Sequence, residues 1–239
     1  TLYVTSHNRY LSLDGENVVI LEKEQEVGRI PLHNLEAIVT FGYTGASPAL
    51  MGACAQRGVG LTFLSGNGRF IARVTGEVYG NVTLRKEQYR TSEKSAESLD
   101  IAKNFIAGKI YNSKWILERM ARDYPMRLDA EKLKSKSSFL SNTLHNIEAC
   151  ADAASLRGLE GEAASVYFSC FDDMILQQKE TFKFHGRNRR PPMDEVNAML
   201  SFAYTLLASM CASALETVGL DPYVGFFHTD RPGRKSLAL

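Results

Sequence analysis

The 239 residues carry 28 Lys and Arg against 27 Asp and Glu, and this net charge of +1 excludes a global field that would hold the molecule on a polyanion. No run of about eighteen apolar residues is present to span a bilayer, and the N-terminus TLYVTSHNRY lacks the order of a signal peptide. Four cysteines without a CxxC pair argue against a zinc knuckle or a disulfide framework. We therefore expect a globular cytoplasmic protein with no membrane partner.

The first third of the chain has the texture of strands and hairpins. Short apolar runs alternate with turn residues in LYV, RYLSL, NVVIL, GRIPL, AIVTF, GLTFL and FIARV. The segment DGEN, beginning at Asp14, separates two alternating runs and predicts a hairpin. One helix is expected among the strands, because Ser47 and Pro48 form a start signal and Gly58 a stop signal.

The second part of the chain has helical texture. Charged residues replace the apolar periodicity between Gly76 and Ser98, and helical spacing follows. Further helices are expected from about Lys132 to Ala154, Ser155 to Phe182 and Asp194 to Val218. Strands first and helices afterwards predict segregated domains of an α+β fold. We expect an N-terminal β-rich domain with one helix at residues 1–78, a linker at 79–97 and an all-α C-terminal domain at 98–239.

A buried stripe is predicted in SLRGLEGEAASVYFSCFDDM, with two glutamates at its start. The stripe consists of Leu159, Ala163, Val166, Tyr167, Cys170, Phe171 and Met174. Glu162 falls on the polar face, whereas Glu160 lies next to the stripe and should be less solvated. Gly158 and Gly161 flank Glu160, and each glycine destabilises a helix by about 1 kcal/mol relative to alanine. Two such glycines are expected where another chain segment or a ligand comes close to the helix. A lone Glu of this kind is more often a salt-bridge partner than part of a site.

The next predicted helix begins after Pro191-Pro192, with Asp194 as its N-cap, and ends at Gly219. Its predicted core stripe contains Val196, Met199, Leu200, Ala203, Leu207, Met210 and Ala214. A polar line follows Asn197, Ser201 and Tyr204, and such a line is more often a hydrogen-bonding seam than a site.

One of the five histidines has a distinctive setting. In GLDPYVGFFHTDRPGR apolar residues precede His228 and a charged turn follows it. Burial of the apolar residues should place His228 at the edge of the protein interior. A lone His in this position is still more often a core residue than a ligand. The basic clusters along the chain are likewise, taken singly, more often solvated surface than binding sites. A carboxylate, an imidazole and basic clusters are consistent with metal-dependent phosphodiester chemistry without proving it.

Three blocks in order carry a resemblance to a known family. LRGLEGEAASVYF, NRRPPMDEVNAMLSFAY and VGFFHTDRPGR are similar to the C-terminal domain of the CRISPR-associated protein one family, the spacer integrases. LRKEQYR and AKNFIAGKIYN resemble the start of the same domain. The resemblance covers essentially the whole chain, and it makes the helical domain the catalytic one.

The resemblance also implies a divalent metal site. In the family a Glu, a His and an Asp bind the ion, and the matching positions are Glu160 and His228. The Asp has no match and is expected just beyond Leu239, so we expect a C-terminally incomplete catalytic domain. The ion would be Mg²⁺ or Mn²⁺, with the imidazole favouring tolerance of Mn²⁺. With only two ligands, we expect Glu160 and His228 to face each other across a cleft, with a protonated His228 able to pair with Glu160.

The implied function is a metal-dependent DNA endonuclease and integrase that inserts spacer DNA into a CRISPR array, a DNA 3′-hydroxyl attacking a phosphodiester. Basic residues should hold the phosphates, and polar or aromatic residues should support the site. The phosphate candidates are Arg85, Arg187, Arg189, Arg190, Arg231 and Arg234, and the supporting candidates are Tyr167, Asn197 and Tyr204.

The implied partners are double-stranded DNA, as spacer precursor and as CRISPR repeat, a small CRISPR-associated protein, and a second copy joined through the β-rich domain. Two alternatives remain at this stage. One is a non-catalytic DNA-binding scaffold subunit of the same type of complex. The other is a general metal-dependent nuclease.

Overall fold

A computed structural model describes residues 1–77 and 82–239. The strands are β1 Leu2–Val4, β2 Arg9–Asp14, β3 Asn17–Glu22, β4 Gln25–Pro31, β5 Ala37–Phe41, β6 Gly60–Leu64 and β7 Phe70–Val74. The α-helices are α1 Pro48–Arg57, α2 Val82–Glu93, α3 Ser95–Asp123, α4 Ala130–Glu148, α5 Ala153–Phe168 and α6 Glu195–Thr217. All seven apolar runs form strands, and the α+β fold class is confirmed.

The strands form two sheets. The first is antiparallel, in the order β2-β3-β4, and Asp14 pairs with Asn17 at the predicted hairpin turn. The second has the order β1-β5-β6-β7, with parallel pairing of β5 to β1 and β6 and antiparallel pairing of β6 to β7. The parallel pair β5-β6 needs a crossover, and α1 supplies it. The division into two sheets was not predicted, because alternation within a strand does not specify its neighbour.

Helix α1 has the predicted ends. The Ser47 hydroxyl accepts a hydrogen bond from the backbone N–H of Leu50 at 3.2 Å. At the other end Gly58 has a φ of 67°, a left-handed conformation that glycine adopts without a steric penalty. Between these ends the helix buries Leu50 and Cys54 completely, in a core shared with Leu11, Val18 and Ile38 from the strands. Burial raises the pKa of the Cys54 thiol to about 11, so this cysteine is an inert core residue.

Helices α3, α4 and α5 pack around one core, as helical spacing predicted. Its fully buried members include Leu117, Leu133, Leu140 and Leu156. The helix predicted from Ser155 to Phe182 is wrong at its C-terminal end, because α5 ends at Phe168. The chain folds back there: the Asp172 carboxylate accepts the backbone N–H of Phe184 at 2.7 Å, and the rings of Phe168, Phe171 and Phe184 pack together.

The predicted domain limits remain a prediction, and contacts within the structure divide the chain differently. One unit contains 1–88, 204–223 and 238–239, and the other contains 89–203 and 224–237, leaving aside the residues that are not described. Residues 79–81 of the predicted linker lie outside the described residues. The rest of that segment is helical, comprising α2 and the start of α3.

Helix α6 differs most from its prediction. Met199, Leu207 and Met210, placed in its core stripe, are 60%, 55% and 37% exposed, whereas Asn197 from the polar line is fully buried. By length and composition alone α6 is the one helix among residues 1–77 and 82–239 that could cross a membrane, and 6% of its most apolar window is buried. The sequence of α6 contains no unbroken apolar run, because Ser, Thr and Tyr residues interrupt it. A single helix of this kind is weak evidence for a membrane.

Candidate functional site

Glu160 is presented by the middle of α5. The helix begins at Asp152, whose carboxylate accepts the backbone N–H groups of Ala154 and Ser155 at 2.8 Å each. Leu156 and Ala163 bury the inner face of the helix. The Glu160 side chain, on the flank of this face, is 21% exposed.

The surroundings of Glu160 agree in part with the sequence interpretation. Glu162 is exposed, as its place on the polar face predicted. The expectation that another chain segment approaches Gly158 and Gly161 is wrong for the described residues, since a Cβ at either glycine would meet nothing within 4 Å. The helix surface beside Glu160 is therefore open, with space for a ligand.

Lys109 of α3 contacts this carboxylate. Its Nζ donates to Oε1 of Glu160 at 2.5 Å. The lysine side chain is 51% exposed, so the pair lies at the surface with the carboxylate on its inner side. Helix α3 is fixed on either side of Lys109 by the buried Ile106 and Ile110, which hold the lysine backbone opposite α5.

His228 lies in the segment 224–237 of the same unit. Phe227 packs against the helical core, and Arg157 of α5 donates from Nη2 to the carbonyl oxygen of Phe227 at 3.0 Å. The Arg157 guanidinium also lies 5.2 Å from the centre of the Phe227 ring, a cation–π distance. The segment is compact, because a Cβ on Gly225 would lie 2.8 Å from the Cβ of Ser236. One turn of α5 therefore holds both Glu160 and the residue preceding His228.

The electrostatic environment favours a neutral His228. Burial lowers the pKa of the imidazole, and the positive charges of Arg234, Lys109 and Arg157 lower it further, against the opposing effect of Glu160. The expected direct pairing with Glu160 is wrong: the described residues contain no ion pair between the two, and Lys109 occupies the carboxylate instead. No hydrogen bond joins the His228 ring to another of the described residues, so its nitrogens are available to a ligand.

A divalent cation fits the kind of donors present. Glu160 supplies carboxylate oxygens and neutral His228 an imidazole nitrogen, a mixture suited to Mn²⁺ more than to Mg²⁺. Within residues 1–77 and 82–239 no group of three or more His, Cys, Asp and Glu side chains could hold a metal ion. An ion bound by Glu160 and His228 would therefore need further oxygen ligands, from water, substrate or other protein groups.

Two of the predicted residues form a buried network before α6. Arg187 donates from Nη1 to Oδ1 of Asn197 at 2.8 Å, and the Asn197 amide donates to Asp194 at 2.7 Å and to the Gly186 carbonyl at 2.8 Å. The backbone N–H of Asn188 donates to the same Oδ1 at 3.0 Å. Asn197 therefore organises the loop and the start of α6, and Arg187 is a part of that structure.

The other predicted residues have varied settings. Arg189, Arg190 and Arg231 are exposed, whereas Arg234 is half-buried and its charge acts on His228. Arg85 belongs to the other unit, where its Nε donates to the Gly219 carbonyl at 3.2 Å. Tyr167 packs edge-on against Phe168 and Phe171, and Tyr204, also in the other unit, is 47% exposed.

Lys109 and Arg157 are residues of the site that were not predicted from the sequence. A signal for Arg157 was available, because it precedes Glu160 by three residues and therefore lies on the same side of the helix. Lys109 is separated from Glu160 by 51 residues, and only the packing of α3 against α5 brings them together. One indication of its importance was present in the sequence: Lys109 lies within AKNFIAGKIYN, a segment that resembles the start of the family's C-terminal domain.

Comparisons with known proteins show which family the chain resembles over its whole length. A family model for CRISPR associated protein Cas1 matches residues 2–239. CRISPR-associated endonuclease Cas1 1 of Chlorobaculum tepidum is 48% identical over 239 residues, which are 100% of this chain and 70% of that protein. A casposase bound to integration product has a TM-score of 0.75 and 25% identity over 99% of this chain and 67% of its own. A chain of a Cas6-RT-Cas1–Cas2 complex shares the fold, with a TM-score of 0.71 and 24% identity over 99% of this chain and 25% of its own.

The β-rich part followed by a helical part is the fold of the CRISPR-associated Cas1 proteins. The chain belongs to the Cas1 family.

Proposed function

We propose that this protein is a metal-dependent DNA endonuclease and integrase that inserts spacer DNA into a CRISPR array in the cytoplasm. The observation that carries the proposal is the meeting of a carboxylate, a neutral imidazole and three cations in one unit. Glu160 and Arg157 come from α5, Lys109 from α3, and His228 and Arg234 from the segment 224–237. Relatives named as Cas1 endonucleases and a casposase with a similar fold support it.

The excess of positive charge suits a polyanionic substrate. Lys109, Arg157 and Arg234 bring three positive charges to the surroundings of His228, and Glu160 brings a negative one. Such a site favours the phosphate backbone of DNA over a neutral ligand. A bound Mg²⁺ or Mn²⁺ would polarise the scissile phosphate and stabilise the charge that develops on its oxygens.

The residues of the chain have distinct tasks in this proposal. Glu160 and neutral His228 would hold the ion, and Lys109 and Arg234 would orient the phosphate. A DNA 3′-hydroxyl would then attack the phosphorus in line, and the 3′-oxygen of the cut strand would leave as the new bond forms. Arg157 positions His228 through the Phe227 carbonyl. No side-chain nucleophile is required, so no covalent protein intermediate forms. Arg189, Arg190 and Arg231 are exposed cations that can follow the DNA beyond the site.

The proposed assembly contains a second copy of this chain and a small partner of the Cas2 type. A structure with a similar fold belongs to a Cas6-RT-Cas1–Cas2 complex, which supports a partner of this kind. We propose that the second copy joins through the β-rich part, whose sheets have edges that another chain can cover.

The test is spacer integration into a supercoiled target, with and without the partner protein and with Mg²⁺ or Mn²⁺. We expect Glu160→Gln and His228→Ala to abolish joining and Glu162→Gln to retain it. Equal losses for Glu160→Gln and Glu162→Gln would contradict the proposal. DNA binding without joining by the unmodified protein would indicate a scaffold, and cleavage without joining would indicate a general nuclease.

A further inference from the structure

Lys109 forms an ion pair with the carboxylate that the proposed function assigns to the divalent cation. Its Nζ lies 2.5 Å from Oε1 of Glu160, which is the more buried member of the pair. Ile106 and Ile110 anchor the lysine backbone in the core, while the ammonium is at the end of a flexible side chain that is half in solvent. The contact is therefore easily released by motion of the side chain alone.

A metal ion and this ammonium compete for the same oxygen. A divalent ion binds carboxylate oxygen at about 2.0 to 2.6 Å, so an ammonium already touching Oε1 would stand within about 4 to 5 Å of the ion. Repulsion between like charges at that distance is substantial near a protein surface. An ion that binds Oε1 would therefore displace Lys109 from that oxygen.

We propose that Lys109 is a placeholder for the divalent cation, and that the cation releases it to become a phosphate ligand. In the metal-free protein the ammonium compensates the charge of Glu160 and keeps α3 and α5 aligned at the site. After displacement the ammonium would still be on α3 opposite α5, where it would pair with a DNA phosphate in place of Glu160. The inference rests on the proposed function, because it takes Glu160 as a metal ligand.

The first experiment measures Mn²⁺ affinity in the intact protein from the electron paramagnetic resonance signal of free Mn²⁺. Lys109→Met should bind Mn²⁺ about fivefold more tightly than the unmodified protein, since the competing ion pair is gone. Lys114→Met is the matched control: Lys114 is on the same helix and lies over the Trp115 ring at 5.5 Å. It should leave the affinity unchanged. Glu160→Gln should remove the Mn²⁺ site.

The outcomes separate the two proposals. If Glu160→Gln removes Mn²⁺ binding but Lys109→Met binds it equally or more weakly, the placeholder role is overturned while the metal site stands. If Glu160→Gln binds Mn²⁺ like the unmodified protein, the metal site fails and the placeholder role fails with it. Thermal unfolding checks that each variant is folded, and Mn²⁺ should raise the melting temperature of Lys109→Met more than that of the unmodified protein.

The second experiment tests the released ammonium. With Mn²⁺ present, DNA affinity is measured at several salt concentrations in a Glu160-intact protein. Lys109→Met should reduce the salt slope by about one, and Lys109→Arg should restore it, because an arginine keeps the positive charge. An unchanged slope in Lys109→Met would overturn the role of Lys109 as a phosphate ligand.

Discussion

Nη1 of Arg187 donates a hydrogen bond to Oδ1 of Asn197, a side chain with no solvent exposure, across 2.8 Å. The two residues are 10 positions apart, on either side of the turn that precedes α6. Arg187 is thereby separated in role from Arg189 and Arg190, which follow it in sequence but have exposed side chains. The three arginines are neighbours in the sequence, but Arg187 has a structural role and the other two lie at the surface.

Replacing Arg187 should therefore lower stability. Arg187→Ala leaves the buried Asn197 oxygen with fewer donors, so we expect a loss of about 1 to 3 kcal/mol in the free energy of unfolding. The double variant Arg189→Ala/Arg190→Ala should stay within about 0.5 kcal/mol. Urea denaturation measures both. Equal stability of all variants would contradict the structural role of Arg187.

The same double variant should weaken binding to DNA. If Arg189 and Arg190 contact phosphates, their loss reduces counterion release, and the salt slope of the affinity should fall by about one for each contact. Fluorescence anisotropy with duplexes of unrelated sequence should give the same loss for each. A slope equal to that of the unmodified protein would show that these two arginines are ordinary surface.

Arg157 should influence the reaction through the position of His228. Arg157→Met removes the hydrogen bond to the Phe227 carbonyl, and loss of such an orienting residue typically costs about 10- to 100-fold in activity or metal affinity. Arg127→Met is the matched control, because Arg127 also donates to a backbone carbonyl, that of Leu176, at 2.6 Å. Integration assays with Mn²⁺ titration compare the two. Equal effects would mean that the loss at Arg157 is a general effect of removing an arginine.

The β-rich unit depends on an ion pair that is largely buried. Arg73 of β7 donates to Glu216 at 2.7 Å and to Ser213 at 2.9 Å, and its side chain is 9% exposed. Arg73→Met leaves the Glu216 charge without its partner and should cost about 3 kcal/mol. Arg29→Met, which breaks exposed pairs with Asp14 and Glu26, should cost much less, because water already solvates those charges. Chemical denaturation distinguishes the two, and similar losses would contradict the importance of burial at Arg73.

The N-cap of α5 should make stability depend on pH. The pKa of Asp152 is lowered below its ordinary value of 3.8, mainly by the hydrogen bond from the backbone N–H of Ser155 and then by the one from the Ser155 hydroxyl. A carboxyl with a lowered folded-state pKa stabilises the protein above its unfolded-state pKa, and the stabilisation disappears as pH falls through the folded value. The stability difference between the unmodified protein and Asp152→Ala should therefore shrink between neutral pH and acid. Urea midpoints at both conditions measure it, and a constant difference would refute the assignment.

The sequence predicted local structure well and long-range relations poorly. The strands, the hairpin at Asp14 and the ends of α1 depend on residues close in sequence, and all were predicted. The end of α5 depends on Phe184, which holds Asp172 through its backbone N–H. Similarly, Glu160 could be distinguished from Glu162 by helical spacing, whereas its partner Lys109 follows only from the packing of two helices. The place of residues 204 to 217 in the β-rich unit was not predicted either, because no local pattern in α6 indicates a contact with Arg73.

That membership has a consequence for synthesis on the ribosome. The strands of the β-rich unit are complete once Val74 has been made, but Arg73 finds its partner Glu216 only 143 residues later. Because the chain emerges from its N-terminus, the nascent strands wait through synthesis of α2 to α5 before the second half of α6 can reach them. The first unit to start folding is thus among the last to be finished, and a chain that is cut short before Glu216 leaves Arg73 without its ion-pair partner.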